Sequence, residues 1–148
     1  MAERVRELDL EKAQIVSCDY DIYLDQKKIG YRSLPLTLST FKMHLSNWLP
    51  MSMTVIDANL AGAKQMPSIR KRQDYLYWLY IFKQNKVTFR KCGNLRLGAY
   101  ERRAGSVSSD KMQNLKYNFF VFNSGLRYPF LISAFLVTIN VLVRILRR

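Results

Sequence analysis

The pattern of apolar and polar residues predicts a chain in which strands and helices alternate. Residues that favour strands are concentrated in its first part, where Pro35 and Gly62 mark interruptions. For this part we predict two strands, at 14–24 and 29–32, joined by a polar turn. We then predict a short helix at 37–47, a buried strand at 51–56 and a loop at 59–68.

The second part opens with the densest apolar passage of the sequence. Leu76, Leu79 and Phe82 recur at helical spacing beside aromatic residues, so we predict a buried helix that begins near Gln73. After it we predict two short strands, at 86–91 and 95–102, around a turn. A Ser-Ser-Asp start signal then predicts a helix at 110–123, and a last apolar segment follows at 128–143. Strands that alternate with helices in one short chain indicate the α/β class.

The composition restricts the classes of protein to which the chain can belong. With 148 residues, of which 49% are hydrophobic, one domain with a buried core is expected. The two cysteines, Cys18 and Cys92, exclude a disulfide scaffold, and the single histidine, His44, excludes a histidine metal cluster. The start of the sequence is charged and lacks the pattern of a signal peptide, so we expect a reducing compartment.

The positive charge is concentrated in the second part of the chain. Residues 63–148 contain 17 basic and 3 acidic side chains, and the net charge of the whole sequence is +13. Such a field attracts phosphates on nucleic acid, on anionic lipid or on a nucleotide-activated small molecule. We expect no nucleic acid among the partners, because the aromatic residues fall on one helix in a packing pattern.

The last segment, 127–148, leaves three alternatives open. Its apolar run, 128–143, would span about 24 Å as a helix, which is less than the ~30 Å thickness of the hydrocarbon core of a bilayer. It can be a last helix packed on the core, a helix in the plane of a membrane with Arg144, Arg147 and Arg148 facing lipid phosphates, or a span.

Three short motifs are candidates for chemistry. Asp19 and Asp21 form an Asp-x-Asp pair of the type that binds a metal, but alternation in a half-exposed strand puts both on its outer face, so we expect no metal site. Asp74 follows three cations, 70–72, at the start of a helix. It is either an acid that complements the helix dipole or a general base that stays ionised among cations. The basic loop 102–109 is either a solvated turn or a phosphate site.

Three blocks of the sequence together resemble the C-terminal half of the bacterial family-two glycosyltransferases, enzymes of GT-A fold that assemble lipopolysaccharide and capsule sugars. The blocks are MPSIRKRQDYLYWL, YERRAGSVSS and NLKYN, at 66–79, 100–109 and 114–118. Upstream, 15–32 resembles the family's strand, acidic turn and Lys-x-Ile-Gly element, and 51–57 resembles its central acceptor-side strand. The resemblance extends from about residue 8 to the end of the sequence.

The resemblance implies a fold, an activity and a location. The expected fold is a partial, Rossmann-like GT-A domain of the α/β class, with its acceptor and base portion over 1–126 and a membrane-associating helix over 127–148. The implied reaction is the transfer of a sugar, with inversion, from a nucleotide-sugar donor to a saccharide or lipid-linked acceptor. The implied location is the cytoplasmic face of the bacterial inner membrane, where surface polysaccharides are made.

The resemblance also assigns residues. The acidic residue of the family's Gln-Asp pair is the catalytic base, which corresponds to Asp74. Arg103, Ser106 and Ser108 match the loop that lies near the diphosphate, and Arg72 is expected to join them as a cation of the same site.

The nucleotide-binding half of the family, with its metal-binding Asp-x-Asp, has no counterpart in the sequence, because 1–12 resembles the helix that follows that motif. We therefore expect no cofactor in this chain, with a divalent metal, Mn or Mg, only in an intact enzyme. A chain that supplies the missing half is an implied partner, and this chain alone is expected to be inactive. The alternative function is a non-enzymatic basic protein of the membrane surface.

Overall fold

The computed structural model describes residues 13–62, 65–84, 86–102 and 111–146. Within these ranges the strands are β1 (Ile15–Leu24), β2 (Lys27–Arg32), β3 (Thr54–Ile56) and β4 (Phe89–Arg102). The helices are α1 (Thr40–Leu45), α2 (Ala58–Gly62), α3 (Gln73–Gln84), α4 (Lys111–Phe120) and α5 (Phe130–Leu146). A 3₁₀ turn at Met51–Met53 precedes β3, and a π-helical turn at Val121–Gly125 follows α4. The chain thus has the mixed α/β composition that the sequence predicts.

β1 is the centre of the sheet, because each of the other described strands pairs with it. β2 and β3 run antiparallel to β1 and pair with its last and first residues, respectively. β4 runs parallel to β1 along its whole length. The sheet is therefore mixed, and β4 has no second partner strand among the described residues.

A two-residue turn joins β1 to β2. Asp25 and Gln26 both have positive φ, 48° and 66°, which is the backbone of a tight hairpin turn whose twist matches that of the strands. The two strands predicted at 14–24 and 29–32 are confirmed, and the second one extends back to Lys27.

The prediction of two strands around a turn at 86–102 was wrong. β4 continues through Gly93 instead of reversing there, and both of its parts pair parallel with β1. Lys91 lies opposite Ser17 and Arg96 opposite Asp19, so a bulge in β4 takes up the extra residues. The Gly-Asn signal is local, and long-range pairing with β1 overrides it.

Two more predictions were wrong in the middle of the chain. The run 51–56 forms a 3₁₀ turn followed by a short, half-buried strand instead of a buried strand. The expected loop 59–68 overlaps α2, which begins after Asp57. The Asp57 carboxylate accepts hydrogen bonds from the amides of Asn59 and Leu60 at 3.0 and 3.2 Å, so it caps this helix.

α3 is the centre of the hydrophobic core, which confirms the buried helix predicted from Gln73. Its buried residues occupy its whole circumference and are Tyr75, Leu76, Tyr77, Trp78, Leu79, Ile81 and Phe82. A helix that is apolar on all sides is enclosed by other elements, and here Ile15 of β1, Leu49 and Phe122 belong to the same cluster. The indole Nε1 of Trp78 donates to the carbonyl of Leu49 at 2.9 Å, so its polar atom is satisfied within the core.

α5 packs on the core through the partly buried Leu136 and Val137 and through two buried polar residues. Ser133 and Asn140 are buried, whereas the exposed residues of the helix are mostly large and apolar: Phe130, Leu131, Ile132, Phe135, Leu142, Ile145 and Leu146. This is the reverse of an ordinary surface helix, whose apolar stripe faces the core. No helix within the described residues is long and apolar enough to cross a membrane.

A buried ion pair joins β1 to β4. Lys91 Nζ lies 2.8 Å from Asp19 Oδ2, and the two side chains are only 9% and 10% exposed. Asp19 also accepts hydrogen bonds from Ser33 Oγ and from the amide of Leu34, at 3.1 and 2.8 Å. The expectation that Asp19 lies on an open outer face was therefore wrong, because neighbouring strands cover it.

We expect Lys91→Met to lower the free energy of unfolding by about 3–5 kcal/mol, because it leaves the Asp19 carboxylate buried without its counter-charge. Urea-induced unfolding followed by circular dichroism measures this loss.

The matched control is Lys28→Met, which removes a solvent-exposed partner of Asp21 and should cost less than about 1 kcal/mol. Combining Lys91→Met with Asp19→Asn should recover part of the stability, because the buried charge is then gone. Equal losses for Lys28→Met and Lys91→Met would contradict this account.

Candidate functional site

The start of α3 has an unusual backbone. The amide of Leu76 donates to the carbonyl of Arg72 at 3.0 Å, so Arg72 caps the helix. Its φ of 64° lies in the left-handed region, which is uncommon for a residue with a side chain and is found most often at functional sites. Asp74 follows in the first turn, where the helix dipole favours its negative charge.

An asparagine from another part of the chain holds one oxygen of Asp74. Asn47, which follows α1, donates from Nδ2 to Asp74 Oδ2 at 2.8 Å. The other carboxylate oxygen, Oδ1, accepts no hydrogen bond from any described residue. The carboxylate is thus oriented by Asn47 and keeps one oxygen available to a ligand.

Two buried polar atoms next to this carboxylate lack partners. Asn47 Oδ1 and Arg72 Nε are enclosed and form no hydrogen bond within the described part of the chain. A buried polar group without a partner costs about 1–3 kcal/mol, so such groups are rare unless a water or ligand satisfies them. Asn47 contacts Asp74, and Arg72 lies two residues before it in the sequence.

The hydroxyl of Tyr75 lies where α1, α3 and α5 meet. It donates to the carbonyl of Met43 at 2.9 Å and lies 3.2 Å from the carbonyl of His44 and 3.4 Å from Asn140 Oδ1. Burial raises the pKa of Tyr75 above its usual range, despite the opposing effects of the Asn140 hydrogen bond and the Arg72 charge. Tyr75 is therefore a neutral donor that fixes the helices, and it is not a candidate base.

α4 is tied to the segment that precedes α3. Lys71 Nζ donates to Gln113 Oε1 at 2.6 Å and lies 5.9 Å from the centre of the Tyr117 ring. On the same helix Asn118 is buried, and its Oδ1 has no partner among the described residues. α4 therefore lies beside the start of α3.

Of the predicted site residues, the structure describes Asp74 and Arg72, which both lie at the start of α3. No ion pair within 4 Å joins their side chains in the described part of the chain. Arg103, Ser106 and Ser108 lie outside the described residues. The roles assigned to all of these residues remain predictions.

The described residues do not fit the divalent metal that the resemblance implies. Asp21 is paired with Lys28 and Arg96, at 2.8 and 3.1 Å, and Asp19 is neutralised by Lys91. No cluster of three or more acidic, histidine or cysteine side chains suitable for a metal occurs in the ranges that the structure describes. Carboxylates that already serve lysine and arginine are not free to coordinate an ion, so no step is derived through a metal.

Asn47 and Asn118 are the residues of this region to which the sequence assigned no role. Asn47 is 27 positions away from Asp74 in the sequence and lies in no motif, so no local signal indicates it. Asn114 and Asn118, in contrast, are four positions apart and share one face of α4, where both are buried. That spacing was a usable signal of an enclosed polar face.

No family model, no curated protein and no solved structure matches the chain. The functional argument therefore rests on the side chains of this region.

The arrangement is suited to a ligand that carries both donors and acceptors. The free Oδ1 of Asp74 can accept a hydrogen bond or a proton from a hydroxyl group. Arg72 Nε is a donor and Asn47 Oδ1 an acceptor without partners among the described residues, and because both atoms are enclosed, a water or a buried ligand group would have to reach them. A sugar hydroxyl next to an anionic group has this combination.

We expect Tyr75→Phe to destabilise the protein by about 1–3 kcal/mol, because the carbonyl of Met43 then stays buried without its donor. Thermal or urea unfolding measures the change. The loss should include loosening of α5, which hydrogen–deuterium exchange at 130–146 detects.

Tyr31→Phe is the matched control, since the Tyr31 side chain is 61% exposed and removal of its hydroxyl should leave stability nearly unchanged. A stable Tyr75→Phe variant with unchanged exchange in α5 would show that the hydroxyl does not fix these helices.

Proposed function

We propose that the chain supplies the acceptor-binding and base portion of an inverting family-two glycosyltransferase of GT-A type. The observation that carries this proposal is Asp74, a carboxylate oriented through Oδ2 by Asn47, with Oδ1 accepting no hydrogen bond from a described residue, in the first turn of the helix that Arg72 caps. The sequence blocks around Asp74 support the same function, because they resemble the base motif of that family.

Asp74 is the general base in this proposal. The acceptor hydroxyl hydrogen-bonds to Oδ1 and transfers its proton there as its oxygen attacks the anomeric carbon of the donor sugar. The bond from that carbon to the diphosphate breaks, and the diphosphate leaves with the electron pair. The bond from Asn47 to Oδ2 keeps the carboxylate in one orientation, which reduces the cost of reaching the reactive geometry.

Cations of the second part of the chain are proposed to receive the diphosphate. Among the cations assigned to this site, Arg72 is the one whose structure is described. Arg103, with the hydroxyls of Ser106 and Ser108, would complete the contacts. A nucleotide-binding portion supplied by a partner chain would hold the nucleotide and the metal ion, Mn or Mg. β4 has no second partner strand in the described part of the chain, so its edge offers such a partner a place to pair, and without that partner the chain is proposed to be inactive.

Asp74→Asn is expected to lower transfer by about 10²–10⁴-fold, the usual contribution of a general base. Asparagine can still accept the hydrogen bond from Asn47, so the fold and donor binding should stay unchanged. The measurement is release of uridine diphosphate from a uridine-diphosphate sugar, by this chain reconstituted with a nucleotide-binding portion and a saccharide acceptor.

The matched control is Asp57→Asn, the same change at a carboxylate that caps α2, where asparagine caps equally well. Transfer should be unaffected. Undiminished transfer by the Asp74→Asn enzyme would refute the role of Asp74.

A second function, a basic protein that binds the membrane surface without catalysis, is favoured by the outward apolar side of α5. Leu131, Phe135 and Leu146 are among its exposed residues, Arg127 precedes the helix, and Arg144 lies in its last turn. Contiguous exposed apolar surface marks an interaction site, and flanking cations suit lipid phosphates. This function is compatible with the first one, since an enzyme that acts on a lipid-linked acceptor works at that surface.

Leu131→Glu is expected to weaken binding to vesicles that contain phosphatidylglycerol by about tenfold or more, because a carboxylate then enters the apolar side and repels the anionic lipid. Co-flotation with vesicles at increasing salt concentration measures the binding.

Leu36→Glu is the matched control, because Leu36 is 76% and Leu131 79% exposed but Leu36 lies far from α5 in the sequence. It should bind vesicles like the unmodified protein. Equal binding by the two variants would argue against α5 as the membrane-binding element.

A further inference from the structure

α4 and α5 border an apolar groove, and Val137, one of its lining residues, also packs against the core. Its walls include Leu115 and Phe119 of α4 and Ala134, Val137 and Val141 of α5. Its volume is about 760 Å³, within the range of sites that hold small molecules or lipid chains. Exposed apolar surface of this extent marks an interaction site.

The polar groups of the groove are nearly all engaged within the protein. The hydroxyl of Thr138 donates to the carbonyl of Ala134 at 3.0 Å, and Gln113 Oε1 accepts from Lys71. Lys116, which also lines the groove, forms no hydrogen bond or ion pair within the described residues. The groove therefore presents an apolar floor and one unpaired cation.

We propose that this groove binds one acyl chain of an anionic phospholipid, with the lipid phosphate next to Lys116. This ligand site goes beyond both proposed functions, because neither proton transfer at Asp74 nor surface binding by α5 requires an occupied groove.

Charge and polarity favour a lipid chain over a polypeptide. A hydrocarbon chain has no hydrogen-bonding groups to satisfy, which matches walls whose polar atoms are already engaged. The unpaired ammonium of Lys116 complements a phosphate, and the positive charge of the surrounding sequence adds to that attraction. Basic residues at both ends of α5, Arg127 and Arg144, keep the helix close to other headgroups.

The test is retention of phosphatidylglycerol by the full chain in nonionic detergent, measured by native mass spectrometry. We expect one phosphatidylglycerol per chain and at least about tenfold weaker retention of phosphatidylcholine, which has no net charge. Because no bilayer is present, this result is independent of vesicle binding and of sugar transfer.

Ala134→Trp fills the groove and should abolish retention of phosphatidylglycerol. Leu131→Trp, the control, adds the same bulk to the outward side of α5 and should retain the lipid. Lys116→Gln changes only an exposed side chain and should weaken retention of phosphatidylglycerol by about tenfold while leaving that of phosphatidylcholine unchanged. Circular dichroism verifies that each variant folds, and if Ala134→Trp does not fold, Lys116→Gln decides.

Three results would overturn the proposal. One is an absence of bound lipid in the unmodified protein, and another is retention by Ala134→Trp equal to that of Leu131→Trp. The third is a dimer that Ala134→Trp dissociates, because the groove would then be an interface between two copies of this chain.

Discussion

The hydrogen-bonded junction at the hydroxyl of Tyr75 determines how the helices of this protein are arranged. One phenol on α3 meets the carbonyls of Met43 and His44 at the end of α1 and the amide of Asn140 on α5, while Asn140 Nδ2 donates to the carbonyl of His44 at 2.7 Å. In a buried setting each of these groups is costly to leave unpaired, so the helices can dock in few ways that satisfy all of them. The neighbouring residue, Asp74, takes its position from the same docking.

The same junction explains why α5 has buried polar residues and exposed large apolar ones. Asn140 must face the core to reach His44, and Ser133, two turns earlier on the same side, is buried as well. The strongly apolar positions of α5 are then left on the outside. A helix held by polar contacts and apolar on its exposed side needs a further apolar environment, which links the docking of α5 to both membrane binding and the groove beside α4.

A strong helical periodicity predicts its element correctly, whereas pairing between distant strands leaves no local signal. The helix at Gln73 was predictable because its apolar residues leave no polar face. The role of Asp74 remains a prediction, although its place at the start of that helix agrees with the sequence. The continuous strand β4 was not predictable from local signals. Its partner β1 lies more than seventy residues away in the sequence, and pairing with β1 overrides the turn signal at Gly93. The contact between Asn47 and Asp74 was equally hidden, because nothing near Asn47 in the sequence indicates the partner that the fold brings to it.

Lys71 connects the two regions that the proposals concern. Its ammonium group binds Gln113, which lines the groove, while the next residue along the chain is Arg72, the cap of α3. Under the proposals, an acceptor hydroxyl would bind at Asp74 and an acyl chain in the groove. The basic charge of the second part of the sequence would then favour an anionic group that joins lipid to sugar.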